Sequence, residues 1–216
     1  MQCTLVLYHG DFMKIFIAVP TFENISPETF KSIYGLDRGG HWVVFDYVRG
    51  YDCATARNNI AKQAIAEEAD YVLMIDSDIL IPGDAIINFL DDPKDVCLGF
   101  SAHRNAENIY TGLTSMCRLG PFDYVDQYTG KEVIAMRESG QYKIQIHGGG
   151  MGSAFIKTDV FKRIEYPYFK WTEYDNGGVL SEDLWFCEQC RKAGIPIFAD
   201  TRVCNGHIFR HIQGVE

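Results

Sequence analysis

The stretch VLMIDSDILIP (residues 72–82) decides how this chain is read. Four apolar residues run directly into two aspartates, Asp76 and Asp78, with only Ser77 between them. A continuous apolar run bounded in this way reads as a strand buried on both faces, as in a parallel sheet. If residues 76–78 stay extended, side chains two apart face the same way. Both carboxylates then project into one volume, with Ser77 turned aside as a spacer. Like charges that close raise each other's pKa unless a cation neutralises them. Magnesium and manganese take the oxygen ligands that carboxylates supply. The bland alternative is an Asx turn capping the next helix, because Asp78 lies shortly before Pro82. One aspartate would suit that reading; two at a strand end point to a metal or ligand site.

Working outward, the flanking pattern alternates strand and helix. KIFIAVP (14–20) reads as a first strand and SPETFKSIYGL (26–36) as a helix, with Ser26 as N-cap and Pro27 at its first position. HWVVFDYV (41–48) is a second strand and TARNNIAKQAIAEEA (55–69) a second helix. YVLMI (71–75) is the third strand, PGDAIINFL (82–90) opens a helix, and DVCLGFSA (95–102) is a fourth strand. This order is that of a parallel α/β sheet, whose ligands bind beyond the carboxyl ends of the strands. Asp76 and Asp78 lie at such an end. So do Pro20, Thr21, Phe22 and Glu23 after the first strand, and Asp46 and Tyr47 near the end of the second.

Beyond residue 102 the pattern shifts to short strands joined by turns: NIYTGLTSM (108–116), PFDYVDQY (121–128), EVIAM (132–136) and YKIQI (142–146). HGGGMGSAFIK (147–157) joins a glycine cluster to an apolar strand. Its glycines allow close backbone approach to a ligand. It has neither a GK[ST] ending nor a dinucleotide fingerprint. A short helix from TDVFKRI (158–164), an aromatic loop YPYFKWTEYDNG (166–177) and the helix SEDLWFCEQCRKAG (181–194) follow. IPIFADT (195–201) and RVCNGHIF (202–209) close the chain as two segments. Residues 1–12 read as an extension, and 13–216 as a single domain with a nucleotide-binding half (13–102) and an α+β acceptor-side half (103–216).

The bulk properties exclude several classes. The 216 residues carry 20 Lys and Arg against 29 Asp and Glu, a formal net charge of −9, with no basic cluster. That argues against a nucleic-acid partner, whose binding rests on neutralising phosphates. No run of about 18 apolar residues suggests a membrane span. The N-terminus has neither a basic region nor a small-residue cleavage site, so no signal peptide is expected. Seven cysteines, an odd number without a dense framework, fit a reduced, cytoplasmic chain. Cys187 and Cys190 form a CxxC inside a helical pattern, where packing is the expected role rather than redox or zinc chemistry.

Four pieces together resemble the GT-A class of nucleotide-sugar glycosyltransferases, especially its broad family 2 group. They are AVPTFE (18–23), ATARNNIAKQAIAEEADYVLMIDSDILIP (54–82), GGGMGSAFIKTDVF (148–161) and SEDLWFCEQCRKAG (181–194). The resemblance implies a Rossmann-like, mostly parallel central sheet with helices on both faces. It implies a nucleotide-sugar donor, a saccharide or other hydroxyl acceptor, and Mn2+ or Mg2+ at the DXD motif. Pro20, Thr21, Phe22 and Glu23 would cradle base and ribose, and Arg57 would face the phosphates. Asp76 would contact ribose or sugar, and Asp78 and His207 would hold the metal, with His103 and His147 as substitutes. Gly149 and Gly150 would line the donor pocket. Glu182 and Asp183 would lie by the acceptor, with Asp183 as general base if the reaction inverts.

The physics agrees with these roles. Charge develops on the leaving phosphate, where a Lewis acid acts, and a hydroxyl nucleophile profits from a nearby carboxylate. The SED cluster also has a plain reading, a serine cap with acids in the first turn. No QxxRW segment follows it, which favours a single-transfer enzyme over a processive synthase. Other readings are a retaining GT-A enzyme, a sugar-nucleotide nucleotidyltransferase and a non-catalytic carbohydrate- or nucleotide-binding protein. A haloacid-dehalogenase-like phosphatase also places DxD after a strand. It wants the first core strand and a small β-branched residue where this chain has Leu80. Neither the donor base and sugar nor the oligomeric state is legible.

Overall fold

The computed structural model describes residues 12–50, 52–101, 113–119, 125–173 and 177–208. The N-terminal extension apart from Phe12, the alternative ligand His103, parts of the 108–116 and 121–128 segments, and Tyr174, Asp175 and Asn176 of the aromatic loop lie outside them.

The first half follows the expected alternation: β1 (Lys14–Thr21), α1 (Pro27–Tyr34), β2 (Trp42–Arg49), α2 (Cys53–Ala66), β3 (Tyr71–Ile75), β4 (Ile79–Leu80), α3 (Ala85–Asp91) and β5 (Val96–Ser101). The second half comprises β6 (Leu113–Leu119), β7 (Val125–Thr129), α4 (Gly130–Glu138), β8 (Lys143–Ile146), β9 (Gly148–Gly149), β10 (Ser153–Lys157) and α5 (Val160–Arg163). A small pair β11 (Thr172–Glu173) and β12 (Val179–Leu180) then leads to α6 (Glu182–Lys192) and β13 (Ile197–His207).

The central sheet runs β2-β1-β3-β10-β5-β13-β4, with β8 also on β13. β1 pairs parallel with β2 and β3, and β5 parallel with β13. β10 is antiparallel to both β3 and β5. Two reversals leave β5 and β13 running with the first three strands, so five strands are parallel, with β10 inverted among them and β4 and β8 antiparallel on β13. β6, β7 and β9 form a separate small sheet.

Side chains alternate across this sheet with period two, and each face has its own core. Phe16, Ala18, Val72, Met74, Leu98, Ala154 and Ile156 meet Ile60 and Ala64 of α2 and Phe186 of α6. Ile15, Ile17, Leu73, Ile75, Cys97 and Phe155 face Ile33 of α1 and Ile86 and Phe89 of α3. Phe155 is sandwiched between Tyr71 and Phe89, with centroids 4.5 and 5.1 Å away. Both halves of the chain thus contribute to both cores, because β10 and β13 of the second half lie within the sheet of the first.

Several local expectations are corrected. Segment 132–136 is not a strand but part of α4. Thr129 and Glu132 form a capping box whose reciprocal bonds commit the backbone to a helix. α2 starts two residues early because Asp52 accepts a bond from the Thr55 N–H at 2.8 Å. α3 starts at Ala85, three residues after Pro82. Segments 195–201 and 202–209 are one strand, β13, with a register shift between Asp200 and Cys204. Cys187 and Cys190 are wholly inside the core, and burial raises both thiols, Cys187 to about 12.

Candidate functional site

The two aspartates are not extended. The Ile79 N–H donates to the Asp76 carbonyl at 3.1 Å, closing a turn over residues 76–79. Three neighbouring segments hold that turn. The Asp76 N–H donates to the Gly152 carbonyl at 2.9 Å, just before β10. The Ser26 N–H, at the cap of α1, donates to the Ser77 carbonyl at 3.1 Å. The Ile208 N–H, after β13, donates to the Asp78 carbonyl at 2.9 Å. Backbone satisfaction therefore dictates the turn, and its carboxylates find different partners. The helix-cap reading also fails, because α3 begins after Asp84 and Asp78 is no part of its cap.

Asp76 accepts from Arg57 Nη2 at 2.7 Å, and Glu182 accepts from Arg57 Nη1 at 2.5 Å. Arg57 is 2% exposed, and its Nε finds no acceptor among the described residues. Both clamped carboxyls are nevertheless raised above their ordinary range. Burial is the main cause, Arg57 opposes it, and Asp183 adds repulsion at both, with Asp78 also acting on Asp76. Burial works against the charge on Arg57, but Asp76 and Glu182 outweigh it and hold the guanidinium protonated. Arg57 thus ties the strand-end turn to the start of α6, with two of its nitrogens taken by protein carboxylates. Glu182 points inward and is 5% exposed.

Asp183, the next residue, points differently. Its Oδ1 accepts from the Ser181 hydroxyl and from the Leu184 N–H at 2.8 Å. Ser181 occupies the N-cap position but makes no capping bond with its side chain. Gly150 lies over the other oxygen: a Cβ built on it would sit 3.4 Å from Asp183 Oδ2. Gly149 is packed instead against β6, where a Cβ would meet Met116 Sδ at 2.5 Å.

His207 reaches the turn through strand register. β4 pairs antiparallel with β13, matching Ile79 with His207. That brings His207 Nε2 to 3.2 Å from Asp78 Oδ2. His147 lies elsewhere, its N–H on the Cys117 carbonyl and its carbonyl taking a bond from Arg191. Among the described residues no three His, Cys, Asp or Glu side chains gather into an ion cage. The Asp78–His207 pair does fit a divalent ion as two adjacent ligands. Ligands about 2.1 Å from an octahedral ion stand about 3 Å apart, and ions of this kind complete their shells with substrate phosphates and water.

A cleft of about 330 Å³ opens against this turn. Pro20, Thr21 and Phe22 form one wall, Asp52 and Cys53 another, and Asp76, Ser77 and Asp78 line the same space. Ser77 is thus a lining residue, not a spacer turned away. Thr21 Oγ1 is buried without a partner among the described residues, and Phe22 is 68% exposed. Arg57, Gly149, Gly150, Glu182, Asp183 and His207 stand behind or beside this lining, and Glu23 and Asp46 also lie outside it. Glu23 is exposed, and its carbonyl accepts from Arg49 Nη2. Asp46 sits within β2 opposite Ala18, and its carboxylate accepts from the Tyr47 N–H. Of the aromatic loop, Phe169 belongs to the core, stacked 4.9 Å from Phe186. Asn58 pins that loop through the Phe169 carbonyl and the Tyr168 and Phe169 amides.

Sequence reasoning missed Asp52, Cys53 and Asn58. Asp52 carried a usable signal, since an Asp three residues before a helical Thr is an N-cap pattern. The Cys53 thiol is pushed up to about 12, chiefly by burial and further by Asp76 and Glu182, and it donates to Glu182.

No family model matches the sequence, and no curated protein matches it. Solved structures do match in fold. One is A197 from STIV, at 15% identity and a TM-score of 0.61, covering 92% of this chain and 87% of that one. Another is GalNAc-T7 with UDP, GalNAc and Mn2+, at 9% identity and a TM-score of 0.61, covering 93% of this chain. The chain has a GT-A-like fold. It spans only 44% of the GalNAc-T7 chain. Among the described residues no helix is long and apolar enough to cross a membrane.

Proposed function

We propose that this chain is a metal-dependent glycosyltransferase that moves a sugar from a nucleoside diphosphate sugar to a hydroxyl acceptor, with inversion. The observation that carries the proposal is the turn at residues 76–79. It presents Asp78 beside His207 and Asp76 beside Arg57, on the wall of a cleft at the carboxyl end of β3. The fold is shared with a protein solved with UDP, GalNAc and Mn2+, which supports a uridine-type donor and manganese as the first choices to test.

In this reading the base and ribose lie along Pro20, Thr21 and Phe22, where Phe22 offers a ring face and Thr21 an unused hydroxyl. Asp78 and His207 would hold Mn2+ or Mg2+. When bound, the ion neutralises charge developing on the leaving phosphate oxygen. Asp76 faces ribose or sugar with one oxygen, its other oxygen fixed by Arg57. Asp183 accepts the proton of the attacking hydroxyl. Its pinned Oδ1 leaves Oδ2 oriented for that task, since a base must stand within hydrogen-bond reach of the proton. Glu182 anchors the start of α6 through Arg57 and so holds Asp183 in place.

The test is a panel of nucleotide sugars assayed for manganese-dependent release of nucleoside diphosphate, followed by anomeric analysis of the product. Asp78→Ala should reduce release about 100-fold or more and abolish the manganese dependence of nucleotide binding. Nucleotide binding that ignores the metal and survives Asp78→Ala would overturn the site. A product of retained configuration would remove Asp183 as base while leaving the donor site intact.

A further inference from the structure

Asp183 has a neighbourhood that the donor site does not use. Its Oδ1 is occupied by Ser181 and the Leu184 N–H, whereas Oδ2 has no hydrogen bond among the described residues. Beside it the Gly150 N–H donates to the Ser115 carbonyl at 3.0 Å, fixing the end of the β9 segment against β6. The Ser115 hydroxyl is buried and has no partner among the described residues. Leaving a buried hydroxyl unpaired forfeits its hydration without return, so an orphan beside a carboxylate calls for an explanation.

Gly150 joins the two groups. A Cβ on it would lie 3.4 Å from Asp183 Oδ2, 3.1 Å from Ser115 Cβ and 3.7 Å from Ser115 Oγ. The space a side chain would enter is therefore bounded by a carboxylate oxygen and an unpaired hydroxyl. A side chain here would need its neighbours to give by a few tenths of an ångström. The φ of Gly150 is not positive. Gly149 differs, because there a Cβ would collide with Met116 Sδ at 2.5 Å.

We propose that Ser115 Oγ and Asp183 Oδ2, which flank the bare Cα of Gly150, form the niche that seats the nucleophilic hydroxyl. This rests on the glycosyltransferase reading. The niche takes a neutral alcohol, or water in its absence. The incoming O–H donates to Asp183 Oδ2, and its oxygen accepts from the Ser115 hydroxyl. In the transfer, the bond from the anomeric carbon to the phosphate oxygen breaks with its electron pair leaving on the diphosphate. The bond from the anomeric carbon to the incoming oxygen forms, and that oxygen's proton passes to Asp183. Ser115 orients the nucleophile, and Gly150 leaves room for it.

Water is the acceptor used in the test, so no natural acceptor need be known. With the donor from the nucleotide-sugar panel, hydrolysis and manganese-dependent binding of the nucleoside diphosphate are measured for the full-length wild type, Gly150→Ala and Ser115→Ala. Gly150→Ala should lower hydrolysis about 100-fold, the effect of displacing a reacting group. Ser115→Ala should lower it about 10-fold, the effect of one lost hydrogen bond. Both should bind nucleotide within about twofold of wild type, because the niche lies outside the donor cleft. Wild-type hydrolysis in both variants would overturn the niche. So would a parallel loss of nucleotide binding, which would make these residues part of the donor site. If Gly150→Ala does not fold, Ser115→Ala decides alone, since it deletes only an unpartnered hydroxyl. A wild type that binds manganese and nucleotide but hydrolyses no donor would instead sink the proposed function.

Discussion

Two clusters of buried charge stand in this molecule, and they are balanced differently. Around the register shift in β13, Asp200 is fully buried and accepts from Lys143 at 2.7 Å and from Arg202 at 2.8 Å. Arg202 also meets Asp91 at 2.8 Å, and both cations donate to the Asn88 carbonyl at the end of α3. Two cations answer two carboxylates, and backbone carbonyls take the remaining donors. At the strand-end turn one cation, Arg57, faces Asp76, Glu182 and Asp183, and Asp78 adds its charge beside Asp76. The first cluster is electrically closed and serves the fold. The second carries surplus negative charge beside an open cleft, which is what a site built for a cationic or metal-bound ligand requires.

The comparison breaks most visibly if Asp200→Ala is harmless. Removing it leaves two cations facing each other in the core, and breaking a buried pair in this way costs about 3–5 kcal/mol. Urea unfolding should show that loss, and a loss below about 1 kcal/mol would mean that the cluster is not structural. Arg57→Met should cost less, about 1–3 kcal/mol. Its abandoned carboxylates can protonate, and the Asp76 side chain retains 30% exposure. It should still abolish most turnover by freeing the start of α6. Equal losses for the two variants would erase the distinction between a closed cluster and an open one.

What was legible in the sequence divides along the same line. An apolar strand interrupted by two carboxylates is a local pattern, so Asp76 and Asp78 stand out unaided, whereas Glu182 and Asp183 read locally as helix-start acids and took a role only from the family resemblance. The α/β alternation was equally local. The direction of β10 was not, because period and composition are blind to whether a strand runs with or against its neighbours. His207 was reachable only through family resemblance, since its approach to Asp78 depends on the register of β4 against β13. The partners Lys143 and Asp200 are 57 residues apart, and Ser115 meets Gly150 only through pairing of β6 with the β9 segment. In α4 the failure was avoidable. The T-x-x-E box at residues 129–132 outweighs the strand-like composition of the residues that follow it.

Glu182→Gln sharpens the contrast in the opposite direction. Glutamine keeps an oxygen for Arg57 to bond and removes one negative charge from a cluster with too many. Stability should change by less than about 1 kcal/mol, or rise, while turnover falls, the usual relation between a strained functional group and the fold that carries it. The comparable exchange in the other cluster, Asp200→Asn, should destabilise outright. If both exchanges cost the same stability, surplus charge is not what distinguishes the site.

The smallest expected effect is the pH dependence of the closed cluster, and its sign is fixed by direction alone. Burial tends to raise Asp200, but hydrogen bonds from Arg202 and Lys143 outweigh it and hold the carboxyl below its ordinary value. The folded protein therefore binds this proton less readily than the unfolded chain does. Its contribution is complete above the unfolded pKa of about 3.9 and is lost as pH falls through the lower, folded value. Unfolding free energy measured at pH 6 and at pH 3 should drop less between the two in Asp200→Asn than in wild type, because that variant has no proton to gain here. Asp76 and Glu182 are shifted upward and oppose this trend in both proteins, so they cancel in the difference. An equal drop in the two would mean that Lys143 and Arg202 do not hold Asp200 ionised, and the balance drawn between the two clusters would fail at its structural end.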